Sequence, residues 1–372
     1  MITNNMQPDT TAEEKSGDDL INRELPDGWV VNRAITRPID EDLTGGHFSR
    51  GYIASKTGKN GKITDAFLKV IDVAAALRSS SGSLMERLKV MTDSHTFECT
   101  ILNICTHAKM DRIVKVLGRG ELLSPPNKNL QFSIPIPYIL FELADGDIRK
   151  VVSRTDKLDD AWRFRILHDA AVGLQQLHSQ DIAHQDLKPS NVLIYNKDKA
   201  AKLGDLGRAS RKGLPANHDN IDVAGDLSYA PPEQLYGKIL PEWVDRREGC
   251  DLYHLGNLAM FLFTGTTPSA HYRKDIVEIL PRAWGGQGNC DYSTALPALI
   301  KSFTKLVDKI KDDLPEWSKD EMTLIIKNAC NPDYTLRGDP DARKRVGSPI
   351  GIETFVSRFD RLSKRAMVEI KK

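Results

Sequence analysis

The sequence predicts an α+β fold of two lobes, a small antiparallel β-sheet lobe with one main helix followed by a larger α-helical lobe. Short β-like runs separated by turn clusters occupy the chain from Trp29 to about Phe141. Amphipathic helical patterns replace these runs after Asp147. A composition of 40% hydrophobic and 28% charged residues over 372 positions is typical of a globular protein that buries a core.

The first lobe is predicted over residues 26–142, where the β-like runs include GYIASK, AFLKVI and PYILFEL. We expect the fold to begin near Trp29, because residues 1–25 are polar and acidic with little aliphatic periodicity and are predicted to form a flexible tail. One helix is predicted before Cys105.

The second lobe is predicted over residues 143–365, and residues 366–372 are predicted to form a C-terminal tail. Its first long helix places one apolar face on Trp162, Ile166, Leu167, Ala170, Leu174 and Leu177. An extended helical region at about 270–335 contains Trp284 and Trp317, which either dock a partner or pack internally.

Composition excludes several classes of function. A formal charge of +1 gives no net attraction to nucleic acid, so we expect no nucleic-acid partner. The five cysteines include no CxxC pair, which argues against a zinc site or a disulfide framework. No uncharged apolar run approaches the roughly 18 residues of a membrane span, so a cytoplasmic protein without a membrane span is expected. The oligomeric state stays open.

The segment HQDLKPSN, residues 184–191, has the polar residues that phosphoryl transfer needs. Asp186 precedes Asn191 by five residues, a spacing that lets one loop present a carboxylate to a substrate hydroxyl and an amide oxygen to a metal ion. In this order and spacing the segment resembles the catalytic loop of the eukaryotic-type protein kinase family, with Gln185 in place of the arginine of the HRD motif.

Three later motifs extend the resemblance. DLG, beginning at Asp205, resembles the family's DFG with leucine in place of phenylalanine. GDLSYAPPE, ending at Glu233, resembles the APE segment, and DLYHLG, with Asp251 and Gly256, resembles the central buried helix. The resemblance implies a two-lobed protein kinase-like fold, in which Asp205 and Asn191 hold Mg²⁺.

Lys69, in the strand-like run AFLKVI, resembles the family's phosphate-binding lysine. A buried ammonium needs a partner, and the family supplies a helix glutamate. Glu98 is preferred because it heads FECTILNICTH, a pattern that resembles the family's C helix. Glu86 lies 17 residues after Lys69, the more usual spacing in the family, and remains the alternative partner. If Glu98 is the partner, the segment SSSGS at 79–83 belongs to an insertion.

The segment LTGGHFSRGYIA resembles the family's glycine-rich loop only in part. Gly46 and Phe48 are in register with the family pattern and are predicted to contact the nucleotide. Thr44 and Ser49 stand where the family usually has glycine, and Gly51 replaces the valine that packs on adenine. A looser lid over the phosphates is implied.

The segment YILFELADGD resembles the hinge that holds adenine. Phe141 is expected to be the gatekeeper at the end of a strand, beside Glu142. Leu143 and Ala144 are expected to present backbone groups to adenine, and Asp147 is expected to reach the ribose.

Gln185 implies that phosphorylation is a weaker switch here than in kinases with arginine at this position. Asp226 stands where serine/threonine kinases usually place threonine, and we hypothesise that it pairs with Lys188. Lys188 itself favours serine/threonine specificity. Ser210 and Ser228 are the hydroxyls available for autophosphorylation between Asp205 and Glu233.

Arg343, in DPDARKR, resembles the arginine that forms a buried ion pair with Glu233, and Arg345 is an almost equal candidate.

The predicted function is that of a serine/threonine protein kinase that transfers the γ-phosphate of ATP to a protein hydroxyl, with Mg²⁺ as cofactor and Mn²⁺ as an alternative ion. The catalytic residues are Asp186, Lys188, Lys69 and Glu98. Two alternatives stay open: a pseudokinase scaffold, which binds nucleotide or a partner without transfer, and a kinase-like small-molecule phosphotransferase, which the APE-like segment disfavours.

Overall fold

The computed structural model describes residues 20–35, 49–73, 83–123, 135–154, 158–197 and 199–369. Its chain divides into two compact units. The sheet unit contains the chain up to Leu88 together with Lys115–Leu143. The helical unit contains Lys89–Val114 and Ala144–Lys372. Residues 89–114, which are predicted to belong to the first lobe, therefore cluster with the helical unit, and the later division between Leu143 and Ala144 lies one residue from the predicted boundary.

An antiparallel five-stranded sheet forms the core of the sheet unit. Its strands are β1 (Val30–Ala34), β2 (Ser49–Thr57), β3 (Ile63–Ile71), β4 (Val116–Leu123) and β5 (Pro135–Glu142), which lie in the order β1-β2-β3-β5-β4. Alternate residues of β3, Ala66, Leu68 and Val70, are buried, as expected for a sheet with one face against the core.

Packed residues are present before Trp29, the predicted start of the fold, and residues 1–19 of the predicted tail lie outside the described residues. Leu20 and Leu25 are 5% and 2% exposed and belong to the apolar core of the sheet unit. The Asn22 N–H donates to the Val31 carbonyl oxygen at 2.7 Å and the Val31 N–H donates to the Arg23 carbonyl oxygen at 2.9 Å, which holds this segment beside β1. The prediction of a flexible tail over residues 1–25 is therefore wrong for residues 20–25, because two isolated leucines among charged residues give no periodic pattern.

The predicted helix before Cys105 is α1 (Leu84–His107). It starts with a capping box, in which the Ser83 backbone N–H donates to Glu86 Oε2 at 2.7 Å and the Glu86 N–H donates to Ser83 Oγ at 3.3 Å.

The helical unit is organised around α5, of which nearly every residue is buried. Besides most of α1, its helices are α2 (Ile148–Arg154), α3 (Asp160–His178), α4 (Pro232–Leu235), α5 (Gly249–Thr264), α6 (Pro268–Asp275), α7 (Tyr292–Ile310), α8 (Lys319–Ala329) and α9 (Ile352–Glu369). Its short strands are β6 (Gly146–Asp147), β7 (Ile182–Ala183), β8 (Val192–Tyr195), β9 (Ala200–Leu203) and β10 (Ser210–Arg211).

The two tryptophans of the extended helical region pack inside the helical unit. Trp284 is buried, with its ring 6.3 Å from that of Tyr272. Trp317 lies between the Phe164 ring at 5.4 Å and the Arg365 guanidinium at 5.3 Å. These contacts favour internal packing over partner docking.

The C-terminal boundary also differs from the prediction. Helix α9 continues to Glu369, and Ala366 on this helix is buried, so residues 366–369 are part of the fold. In the ranges that the structure describes, no helix is both long and apolar enough to cross a membrane.

Candidate active site

The segment HQDLKPSN forms a loop between β7 and β8 and is anchored from below by Asp251 of α5. The Asp251 carboxylate accepts hydrogen bonds from the backbone N–H groups of His184 and Gln185, each at 2.7 Å, and from His178 Nε2 at 2.9 Å. Burial acts to raise the pKa of Asp251, but the His178 contact and the loop N–H groups lower it overall. A buried carboxylate therefore fixes the start of the loop.

Asp186 is 3% exposed and is held on both carboxylate oxygens. Oδ1 accepts from the Asp226 backbone N–H at 2.8 Å, and Oδ2 accepts from Asn191 Nδ2 at 3.1 Å and lies 3.3 Å from Lys188 Nζ. Burial raises the pKa of Asp186, the charge of Asp205 raises it further, and the Lys188 cation opposes both. The result is an oriented carboxylate that is more basic than usual and suited to aligning a hydroxyl proton.

Asn191 turns its amide oxygen away from Asp186. Its Nδ2 donates to the Asp186 carbonyl oxygen at 2.7 Å, while Oδ1 accepts a long bond of 3.3 Å from Ser190 Oγ. An amide oxygen and the Asp205 carboxylate are hard oxygen donors of the type that Mg²⁺ binds together with water and phosphate oxygens, so this donor set fits the predicted ion.

The residue before Asp205 is tied to the catalytic loop by two hydrogen bonds. The Gly204 N–H donates to the Asn191 carbonyl oxygen at 2.9 Å, and the Gly204 carbonyl lies 3.1 Å from His184 Nε2. Asp205 then adopts a left-handed backbone with a φ of 57°, which aspartate tolerates better than most residues. The turn thereby fixes the backbone of Asp205 beside the catalytic loop.

Glu98 lies in the buried part of α1, 6% exposed, beside the DLG turn. A Cβ atom built on Gly207 would lie 3.7 Å from Glu98 Oε2 and 3.4 Å from Asp205 Oδ1, so both carboxylates flank the same glycine. Glu86, in contrast, caps the start of α1. These placements support the preference for Glu98, and its pairing with Lys69 stays a prediction.

Lys69 lies in β3, with Gly51 opposite on β2 and Ile139 opposite on β5. A Cβ atom at Gly51 would lie 2.8 Å from the Phe67 ring, so a valine there would collide with that ring. The Phe67 ring also stacks on Phe141, with centroids 6.3 Å apart. Glycine at position 51 is thus explained by the phenylalanine on the neighbouring strand.

The predicted contacts of the glycine-rich loop lie mostly outside the described residues. Thr44, Gly46 and Phe48 fall in the gap between residues 35 and 49, and Ser49 begins β2. Their roles stay predictions.

The hinge residues have partners of their own. Glu142 Oε1 accepts from the Lys115 N–H at 2.9 Å. The buried Asp147 caps α2 by accepting from the Lys150 N–H at 3.2 Å, and its carboxylate lies 3.4 Å from Arg149. A ribose contact by Asp147 competes with this capping role and stays a prediction, as does the backbone contact at Ala144.

The hypothesis that Lys188 pairs with Asp226 is confirmed, since Nζ and Oδ2 are 3.3 Å apart. Ser228 is exposed, as an autophosphorylation site requires. Ser210 is not available, because it is fully buried and its hydroxyl donates to Asp219 Oδ1 at 2.7 Å. The prediction that the Ser210 hydroxyl is accessible is therefore wrong.

The partner of Glu233 is Arg337, and the prediction of Arg343 or Arg345 is wrong. Two parallel bonds of 2.7 and 2.8 Å join the Arg337 guanidinium to the Glu233 carboxylate, with both side chains buried. Arg343 pairs with Asp245 at 2.7 Å, and the Arg345 side chain is 63% exposed. The resemblance to the family was matched to DPDARKR, residues 339–345, which contains Arg343 and Arg345 but begins two residues after Arg337.

Comparison with known proteins gives consistent results. Residues 57–338 match the family model described as "Protein kinase domain". The chain is 33% identical to serine/threonine-protein kinase PknB of Mycolicibacterium smegmatis over 159 residues, covering 42% of this chain and 23% of that protein. It is 29% identical to PknB of Mycobacterium tuberculosis over 203 residues, covering 51% and 30%.

A further relative is serine/threonine-protein kinase par-4 of Caenorhabditis briggsae, 27% identical over 237 residues, covering 59% of this chain and 33% of that protein. The matched segments thus span between 23% and 33% of the length of these three relatives.

Proposed function

This chain belongs to the protein kinase family, and on that premise we propose that it is a serine/threonine protein kinase that transfers the γ-phosphate of ATP to a protein hydroxyl. The observation that carries the proposal is the Asp186 carboxylate, which is buried and held between the Asp226 N–H and the Asn191 amide with Lys188 Nζ at 3.3 Å. Phosphoryl transfer depends on a group that orients the acceptor hydroxyl and on charges that stabilise the phosphoryl group, and Asp186 and Lys188 are suited to these two roles.

In the proposed reaction, the acceptor hydroxyl oxygen bonds to the γ-phosphorus of ATP while the bond from that phosphorus to the β-phosphate oxygen breaks and ADP leaves. Asp186 aligns the hydroxyl and receives its proton, and Lys188 stabilises the charge on the transferred phosphoryl group. Asn191 Oδ1 and the Asp205 carboxylate would hold Mg²⁺. The bound ion supplies charge neutralisation on the phosphate oxygens. The protein itself orients the reacting groups and provides a cation beside them.

The nucleotide would be held by residues of the sheet unit and the hinge. Lys69, paired with Glu98, would bind the α and β phosphates. The remaining proposed contacts are Gly46, Phe48, Phe141, Glu142, Ala144 and Asp147.

Specificity for serine and threonine is supported by Lys188 and by the names of the relatives. We also propose a cytoplasmic location, in line with the composition.

The test uses the full chain with ATP labelled on the γ-phosphate, Mg²⁺ and a protein rich in serine, threonine and tyrosine. We expect label on serine or threonine, strong loss after metal chelation, and recovery with Mg²⁺ or Mn²⁺. Asp205→Asn should reduce transfer by about 10²-fold or more because a charged metal ligand is lost. Asp222→Asn is the matched control, because Asp222 is an exposed carboxylate in the segment between Asp205 and Glu233. This variant should transfer phosphate at the wild-type rate.

Three results would redirect the proposal. Nucleotide binding without transfer by the wild type would favour the pseudokinase scaffold. Label on tyrosine alone would contradict the specificity. Transfer of label to a small-molecule acceptor, with no label on the protein, would favour the small-molecule phosphotransferase.

A further inference from the structure

Asp219 is the meeting point of several hydrogen bonds within the segment 205–233. Its Oδ1 accepts from Ser210 Oγ at 2.7 Å and from Arg247 Nη2 at 2.8 Å, and its Oδ2 accepts from the Ala216 N–H at 2.7 Å. Its backbone carbonyl also accepts from Arg247 Nη2, at 3.2 Å. The carboxylate therefore folds the segment onto itself and receives a guanidinium from outside it.

The other edge of that guanidinium reaches the catalytic loop. Arg247 Nη1 donates to Gln185 Oε1 at 3.0 Å, and Gln185 Nε2 donates back to the Arg247 carbonyl oxygen at 2.9 Å. Both side chains are almost fully buried, Arg247 at 5% and Gln185 at 1% exposure. One guanidinium thus connects the residue next to Asp186 with the segment that contains Asp226.

These two connections meet again at Asp186. Gln185 precedes Asp186 in the loop, and Asp226, seven residues after Asp219, donates its N–H to Asp186 Oδ1 at 2.8 Å. A displacement of either the loop or the segment would change the orientation of the same carboxylate.

We infer that Arg247 is a positioning residue, which holds the catalytic loop and the segment 205–233 in their reactive arrangement by joining Gln185 to Asp219. The inference rests on the proposed function and adds how that site is controlled. Asp219 supplies the anion that orders the segment, so the arrangement needs no phosphate on the segment. A neutral amide at Gln185 supports this use of Asp219, because it binds the guanidinium without competing for the carboxylate.

The burial of Arg247 supports a strong dependence on the pair. Without the Asp219 carboxylate the Arg247 guanidinium, whose side chain is 6% exposed, is left uncompensated, and without Arg247 the Asp219 carboxylate, whose side chain is 23% exposed, loses the same ion pair. The two single substitutions should therefore have similar effects, and the double substitution should cost little more than either one.

The experiment compares Arg247→Met, Asp219→Asn and the double variant with the wild type in the full chain. We expect each single variant to lower kcat by about 10- to 100-fold, because a small displacement of a catalytic group has effects of this size. KM for ATP should stay near the wild-type value. Arg343→Met is the matched control, because Arg343 forms an ion pair with Asp245 at 2.7 Å outside the loop and the segment. It should keep the wild-type kcat.

Hydrogen exchange of residues 205–233 is measured on the same proteins, so the inference is judged independently of catalysis. Faster exchange of this segment in Arg247→Met and Asp219→Asn, with no change in Arg343→Met, supports the inference. This holds even if the wild type transfers no phosphate, because the lack of transfer would contradict only the proposed function. Unchanged exchange in both single variants overturns the inference. If Arg247→Met does not fold, Asp219→Asn, which keeps the side-chain shape, carries the test.

Phosphatase treatment of the wild type completes the design. Full turnover after removal of all phosphate from the segment is the expected result. Loss of turnover on dephosphorylation, with recovery after rephosphorylation, would overturn the claim that Asp219 suffices.

Discussion

In the helical unit, hydrogen bonds and an ion pair hold the Asp186 carboxylate that is proposed to carry out catalysis, whereas in the sheet unit strand register and ring packing position Gly51, Phe67 and Phe141. Asp186 has fixed partners on both oxygens. In the sheet unit, the Phe67 ring instead occupies the space that a side chain at Gly51 on the neighbouring strand would need. Polar networks require particular residue types, whereas packed rings accept compensating changes of size.

The Arg337–Glu233 pair offers the larger test of this comparison. Arg337→Met should lower the free energy of unfolding by roughly 3–5 kcal/mol, because it leaves the buried Glu233 carboxylate uncompensated. Adding Glu233→Gln should recover part of the loss. Denaturant unfolding of the single and double variants measures both effects.

The control for that prediction is Lys344→Met, which removes the surface ion pair between Lys344 and Asp341, 2.9 Å long. The unfolding midpoint of this variant should not change, because exposed ion pairs contribute little to stability. Strictly additive effects of Arg337→Met and Glu233→Gln would show that the two buried side chains do not act as a pair.

The Gly51–Phe67 pair offers the smaller test. Gly51→Val should destabilise the protein by about 1–3 kcal/mol, because the new side chain would overlap the Phe67 ring. Combining it with Phe67→Ala should restore much of that loss by exchanging the positions of the large and small side chains. Thermal unfolding of the four proteins in this cycle measures the coupling, and a double variant as unstable as the sum of the singles would refute the compensation.

The difference between the units also explains what could be predicted from the sequence. Asp186, Asn191 and Asp205 could be proposed from the sequence because their chemistry fixes residue type and spacing within short motifs. The two-lobed α+β fold followed from the change from β-like to helical patterns.

Contacts between distant parts of the chain could not be predicted in the same way. Arg337 lies 104 residues from Glu233, and Arg247 lies 62 residues from Gln185, with no fixed spacing to reveal either contact. Glycine at position 51 is explained by the register of β2 and β3, which places Gly51 beside the Phe67 ring. Single-sequence patterns report local geometry, and these contacts depend on the assembled fold.

The central claim is that the Asp186 carboxylate carries the phosphotransfer, and Asp186→Asn tests it most directly. Asparagine keeps the shape and can still accept from the Asp226 N–H, but it lacks the charge that aligns and takes up the hydroxyl proton. We expect kcat for transfer to protein to fall by about 10³-fold while the unfolding midpoint and the affinity for ATP with Mg²⁺ stay near wild type. Wild-type turnover by Asp186→Asn would contradict the account.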